Sequence, residues 1–234
     1  MTLKAVKEYL HSFIEPEKVK VYTSFFKTGK GDYAEGDKFL GISTPNTRRV
    51  VKKSKKLESS DIQELLTSEW HEERLLGLFI LERRFRFASE VEKEEWVEMY
   101  KNNYKNVNNW DLVDQSADKI LGEYCYWSKN DDYLLELAES SNLWEKRIAI
   151  IATYAYIKHK QTDLTYKIAL VLMKDSHDLI QKAVGWMIRE SGKRVDESEM
   201  VDFIRANKLE MPSTMLRYAI ERLSEDLKQE LMQK

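Results

Sequence analysis

The segment NWDLVDQSADKIL (109–121) gathers the residue types with most chemical reach in this 234-residue chain. Trp110 and Asp114 are four residues apart, so on a helix they share one face. Asp111 and Asp118 add further carboxylates to the same run. A carboxylate beside an indole is poorly hydrated, and its field acts strongly on a nearby cation. Such a pair could stabilise a developing positive charge. The same spacing also fits an Asp-enriched first helical turn with Trp110 as ordinary core. Trp144 and Arg147, and again Trp186 and Arg189, stand three apart. A guanidinium fork beside an indole could stack on it or reach a phosphate oxygen, although tryptophans at this spacing also serve as core. Other chemistries find little support. The four His residues are scattered, with no spacing that argues for a Ser-His-Asp arrangement. Cys125, the single cysteine, lies in an aromatic run and reads as a small buried hydrophobe. No Cys/His cluster has zinc-ligand spacing, so neither metal nor cofactor is expected.

The elements that must carry these residues read as helices. Eight glycines and three prolines are too few for the tight turns of a sandwich or barrel. Four of the glycines fall in GKGDYAEGDKFLG (29–41), which lacks both the GxGxxG and the Walker lysine pattern and reads as a long loop. Helix starts are signalled by a capping residue before an apolar-periodic run: Thr2, Thr44-Pro45, Ser68, Asn109, Ser141 and Ser176. The chain closes with one more such run, PSTMLRYAIERLSEDLKQELMQK. About ten to twelve helices and no alternating strand are expected. No apolar run approaches the roughly 20 residues of a membrane span. With no signal peptide evident at the N-terminus, a soluble, cytoplasmic protein is expected.

The formal net charge is −2, yet the charge is unevenly placed. Glu58 to Glu98 holds 12 acids and 5 bases, whereas Ser141 to Arg194 holds 10 bases and 5 acids. RRVVKKSKK (48–56) carries six cations and no acid. Screening confines charge effects to about 10 Å at moderate salt, so a polyanion partner remains compatible with an acidic pI. Solvated helix faces would give the same blocks. Arg147, Lys182 and Arg217 recur at intervals of 35 residues, each followed two positions on by a small apolar residue: Ala149, Val184 and Ala219. Each is expected early in the longer, second helix of a pair. A period in the thirties with two helices per unit signals an α-solenoid, in which equivalent positions form a row along one surface.

NNWDLVDQSADKILG, LWEKRIAIIATYAYI and HDLIQKAVGWMIRESGKR together resemble the AlkD-type DNA alkylation-repair glycosylases, which are built of HEAT-like helical repeats. The loop from Phe25 to Lys53 and the segment HEERLLGLFILERRF are similar too, so the resemblance runs from about residue 20 to 223. It implies excision of cationic N-alkylated purines, such as 3-methyladenine or 7-methylguanine, from duplex DNA. It further implies Asp114 as the catalytic carboxylate, Trp110 and Trp186 packed around the deoxyribose of the damaged nucleotide, and Arg147 in support of the backbone. Asn109 departs from the family pattern, in which another aromatic can stand there.

The expected fold is therefore all-α: a single domain over 1–234, an α-solenoid of HEAT-like antiparallel helix pairs with a concave DNA-binding groove. Lys182, Arg189 and Arg217 are expected to bind phosphates, with Lys52, Lys53 and Lys193 as further candidates. The expected partner is duplex DNA carrying alkylated bases, bound by a monomer. No lysine falls in the WDLVD turn, so lyase chemistry is not expected. The alternative from another class is a non-catalytic HEAT-like repeat protein that binds DNA or a protein partner.

Overall fold

The computed structural model describes residues 1–233. Helix is the only regular secondary structure among the described residues, with one isolated bridge (Lys38 to Trp70) and no strand, as the scarcity of Gly and Pro predicts. Among the described residues no helix is long and apolar enough to cross a membrane. The chain divides into two compact units, Met1–Ser116 and the residues from Ala117 onward.

The first unit holds α1 (Leu3–His11), α2 (Pro16–Phe25), α3 (Thr44–Val51), α4 (Ser59–Leu66), α5 (His71–Phe87), α6 (Glu90–Lys101) and α7 (Trp110–Ser116), with a short 3₁₀ turn at Tyr104–Asn106. Helix α5 is its hub, packing on α3, α4, α6 and α7. Its middle, Leu75 to Leu81, is buried on every side, which is why this stretch is apolar without an amphipathic stripe. Its first turn is unusual, since His71, Glu72, Glu73 and Arg74 are all buried. Charge can be buried there only because each group is paired. Glu72 accepts the backbone N–H groups of Leu40, Gly41 and Ile42 at 2.8–3.0 Å, closing the glycine-rich loop onto the helix. Glu73 accepts from Ser68 and pairs with Lys7 and His11 of α1. Gly41 ends that loop at φ +83°, and a Cβ there would press into the Glu15 carbonyl, so only glycine fits.

The second unit begins with a π-helical turn at Asp118–Gly122, followed by α8 (Glu123–Ser128), α9 (Asp131–Ala138), α10 (Leu143–Lys158), α11 (Asp163–Val171), α12 (Asp178–Arg194), α13 (Glu197–Asn207), α14 (Ser213–Ile220) and α15 (Glu225–Met232). Here the helix-pair repeat is explicit. Helices α10, α12 and α14 stack side by side, α9 and α11 pack against α10 and α12, the longer members of their pairs, and α13 packs on α12. Gly185 sets the closest of these contacts, because a Cβ on it would strike the Met215 carbonyl and lie 2.6 Å from Tyr218 Cβ.

Fifteen α-helices among the described residues replace the ten to twelve expected. The 109–121 run breaks at the π turn. The C-terminal run breaks after Ile220, because Ser224 starts a new helix by accepting the Leu227 amide. Several starts shift by a residue or more. Asn142 and His177, rather than Ser141 and Ser176, accept the first amides of α10 and α12. Ser68 accepts the Trp70 amide and donates to Glu73, so α5 opens only at His71.

Candidate functional site

Helix α7 carries the WDLVD motif, and its register is simple. Leu112, Val113 and Ser116 face the core, while Trp110, Asp111, Asp114 and Gln115 occupy the half-buried opposite face. Asn109 starts the helix by accepting the Trp110 amide at 2.8 Å. The short helix is fixed from below by α5. Arg74 donates from Nε to the Asn106 carbonyl at 3.1 Å and from Nη2 to Asn108 Oδ1 at 3.1 Å, so it grips the loop entering α7. His71 donates from Nε2 to Asp111 Oδ2 and from Nδ1 to Asp37 Oδ2, both at 2.9 Å. Arg74 closes the circuit with Asp37 Oδ1 at 2.6 Å.

The result is a buried two-plus-two network: His71 and Arg74 against Asp37 and Asp111. Burial alone would strip the proton from His71, but the charges of Asp111 and Asp37 and their hydrogen bonds outweigh it, holding the imidazolium to about pH 9. Burial would likewise raise the Asp37 carboxyl, yet His71 and Arg74 keep it below the ordinary carboxylate range. His71 is thus a cation at neutral pH, with Asp111 held against its Nε2.

Aromatic rings continue the support outward. The Phe39 ring lies on the His71 ring at 4.4 Å, Phe26 stacks on Phe39 at 5.0 Å, and the Trp110 indole stacks on Phe26 at 5.3 Å. Phe25 meets the indole edge-on at 5.6 Å. A cleft of about 270 Å³ opens beside this pile, with Tyr22, Phe26, Trp110, His71 and Asp111 among its walls. Asp111 Oδ1 is buried and has no hydrogen-bond partner among the described residues, an unfilled acceptor in a site where most find one. Asp114 follows Trp110 by one turn on the same face. The arrangement can offer an indole face and carboxylate oxygens together, with the indole locked by its neighbours. Among the described residues no group of three or more His, Cys, Asp or Glu is arranged to hold a metal.

Apart from Lys52 and Lys53, which are exposed just after α3 in the first unit, the remaining expected site residues belong to the second unit. Lys182 on α12 is half-buried and pairs with Asp178 at 2.7 Å, and Arg217 on α14 is exposed. Arg147 departs from the expected exposed row. It is only 5% exposed and donates from Nη1 to the Leu179 carbonyl at 2.5 Å, tying α10 to α12. Helix α10 is buried on nearly all sides, so a cation at this register turns inward. The third repeat also departs, since α14 is shorter than α13. Arg189 is engaged by Glu221 and Glu190, and its buried Nε has no partner. Trp186 is half-buried next to Gly185, while Trp144 is core. Asp118 lies within the π turn and pairs with Lys158 at 3.3 Å.

The family model of DNA alkylation repair enzymes matches residues 6–223. This chain belongs to the DNA alkylation repair enzyme family. A solved structure described as a predicted DNA alkylation repair enzyme from Enterococcus faecalis is similar at a TM-score of 0.70 and 16% identity, covering 90% of this chain and 97% of that one. That likeness speaks for the helical fold. No curated protein matches the chain.

In this DNA alkylation repair protein the sequence pointed to Trp110 and Asp114 but not to the groups that hold them. His71 read as an ordinary structural histidine, and Asp37, Arg74, Phe25 and Phe26 were not singled out. Their separations from α7 in the chain leave no local signal. The one available hint was four charged or titratable residues, His71 to Arg74, running into a continuous apolar stretch.

Proposed function

We propose that the protein is a monofunctional DNA glycosylase that hydrolyses the N-glycosidic bond of cationic N-alkylated purines, such as 3-methyladenine and 7-methylguanine, in duplex DNA. The observation that carries this reading is the half-buried face of α7, where Asp114 follows Trp110 by one turn and Phe25 and Phe26 fix the indole. An alkylated purine already bears a positive charge and leaves as a neutral base, so no general acid is required. What remains is to stabilise the oxocarbenium-like sugar and to place a water. The Asp114 carboxylate does both: it faces the cationic sugar and orients the water whose oxygen bonds to C1′ as the C1′–N bond breaks. The water's proton is released to the carboxylate or solvent. The indole faces of Trp110 and Trp186 favour the electron-poor sugar. Neutral lesions, lacking the built-in charge, react weakly.

Lys182, Arg189 and Arg217 contact phosphates, which positions the duplex without reading its sequence. Arg147 acts from beneath the surface by fixing α12. One repeat domain over 1–234 acting as a cytoplasmic monomer completes the proposal. The test is release of 7-methylguanine from a methylated duplex by the wild type and by Asp114→Asn, which keeps the shape and removes the charge. Release that collapses in the variant, with DNA binding retained, places catalysis on Asp114. Binding without release by either protein sinks the proposal and favours a non-catalytic DNA-binding repeat protein.

A further inference from the structure

We propose that the surface where the 52–57 link meets the C-terminal end of α5 binds single-stranded nucleic acid, with Phe87 as a stacking platform for an unpaired base. Two basic runs distant in sequence converge here, RRVVKKSKK (48–56) and ERRFRF (82–87). Arg84 joins them by donating from Nη2 to the Lys55 carbonyl at 3.0 Å and to the Leu57 carbonyl at 2.7 Å. Phe87 ends α5 and is 72% exposed. It stands as a ridge between two clefts, one of about 280 Å³ lined also by Lys55, Arg84 and Trp96, the other of about 180 Å³ lined also by Arg48 and Arg86. Arg83 borders both clefts, and the Arg83 and Arg86 guanidinium groups approach the Phe87 ring at 5.4 and 5.8 Å.

Cations at the end of a helix are favoured by its dipole, which accounts for Arg84 and Arg86. That effect accounts neither for the second basic run laid against the same end nor for an exposed phenyl ring set among the cations. The acids in the clefts, Glu82 and Glu92, are fewer than the cations, and Glu92 is occupied by the Ser89 amide and hydroxyl. A positive surface with an aromatic ring at its centre is what strand binders use: phosphates meet the cations, and a base stacks on the ring. Paired bases already stack on their neighbours, so the ring selects unpaired nucleotides.

Phe87 lies outside the WDLVD face, although Arg48 at the edge of the second cleft donates to Gln115 on α7, and the inference does not depend on whether the protein cleaves a glycosidic bond. The experiment is fluorescence anisotropy of a labelled 12-nucleotide oligo(dT) and of a duplex of equal length, with the full chain and two variants. Phe87→Ala is expected to weaken oligo(dT) binding about tenfold, at the low end of the base-stacking range, and to leave duplex binding unchanged. Arg83→Gln with Arg86→Gln is expected to flatten the dependence of oligo(dT) affinity on salt by about 0.7 per lost phosphate contact. Circular dichroism melts should match the wild type, because the altered side chains lie at the surface. Equal affinity of Phe87→Ala and wild type for oligo(dT) would overturn the proposal, as would an equal loss on duplex. Tighter capture of a poly-glutamate peptide than of oligo(dT), lost in the arginine variant, would overturn it in favour of a protein partner.

Discussion

Removing the His71 side chain as an imidazolium, by Gln substitution or by pH, tests the buried network beneath α7. In the unfolded chain the residue titrates near its ordinary value of 6.5, whereas in the folded protein it holds its proton to about pH 9. At about 1.4 kcal/mol per pKa unit, that difference corresponds to about 3 kcal/mol of folding stability. The contribution is fully present below pH 6.5, falls as the pH rises through the interval, and is gone above about pH 9. Urea unfolding at half-unit pH steps, followed by tryptophan fluorescence, is run on wild type and His71→Gln. The variant subtracts the lysines, tyrosines and other groups common to both. The stability difference is expected to shrink by about 3 kcal/mol between pH 6 and 9.5. An independent arm follows the His71 ring proton by NMR in Asp111→Asn, where loss of one of the two flanking carboxylate charges should bring titration back toward 6.5. A flat stability difference across the interval, together with an unmoved titration in Asp111→Asn, would refute the electrostatic account.

On the acid side, Asp37 contributes stability above the ordinary carboxylate range and loses it as the pH falls through its depressed value. Asp37→Asn should therefore flatten the acid limb of the wild-type urea curve. Gly185→Ala should destabilise by about 1–3 kcal/mol despite alanine's better helix propensity, because its Cβ meets the Met215 carbonyl of α14; a net gain in thermal stability would show that α14 gives way freely. Lys182→Ala with Arg217→Ala should weaken binding to damaged and undamaged duplex alike and lower the salt slope by about 2, at about 0.9 per phosphate. Loss confined to damaged DNA, measured by anisotropy, would contradict the phosphate role.

What was legible in the sequence was local. Apolar periodicity marked the helices, and the offset of four between Trp110 and Asp114 placed both on one face because a helical turn fixes it. The 35-residue recurrence of Arg147, Lys182 and Arg217 found the stacked α10, α12 and α14. It could not say which way each cation turned, because that depends on how completely a helix is enclosed. Arg147 turned inward on a helix packed on both flanks. Helix starts slipped wherever two capping residues adjoin, as at Ser141-Asn142, since either can take the first amides. The network of His71, Asp37, Asp111 and Arg74 was out of reach for a different reason. It joins residues 34 and 40 positions apart, and pairing at that range is set by the fold rather than by spacing.

The π turn at Asp118–Gly122 behaves as a one-residue insertion that the helix absorbs as a change of angular phase. Each residue of an α-helix advances by about 100° around the axis, so counting faces onward from Trp110 loses its meaning beyond Ala117. Asp118, the fourth residue after Asp114 in the chain, pairs instead with Lys158 of α10. Deleting a single residue from this turn would restore regular geometry and swing the whole of α8 around by roughly the same 100°, carrying buried Cys125 out of its packing while Gly122 lost its seat against the Ala152 carbonyl. Within the second unit, one surplus residue thus sets the angular phase of α8 against α10.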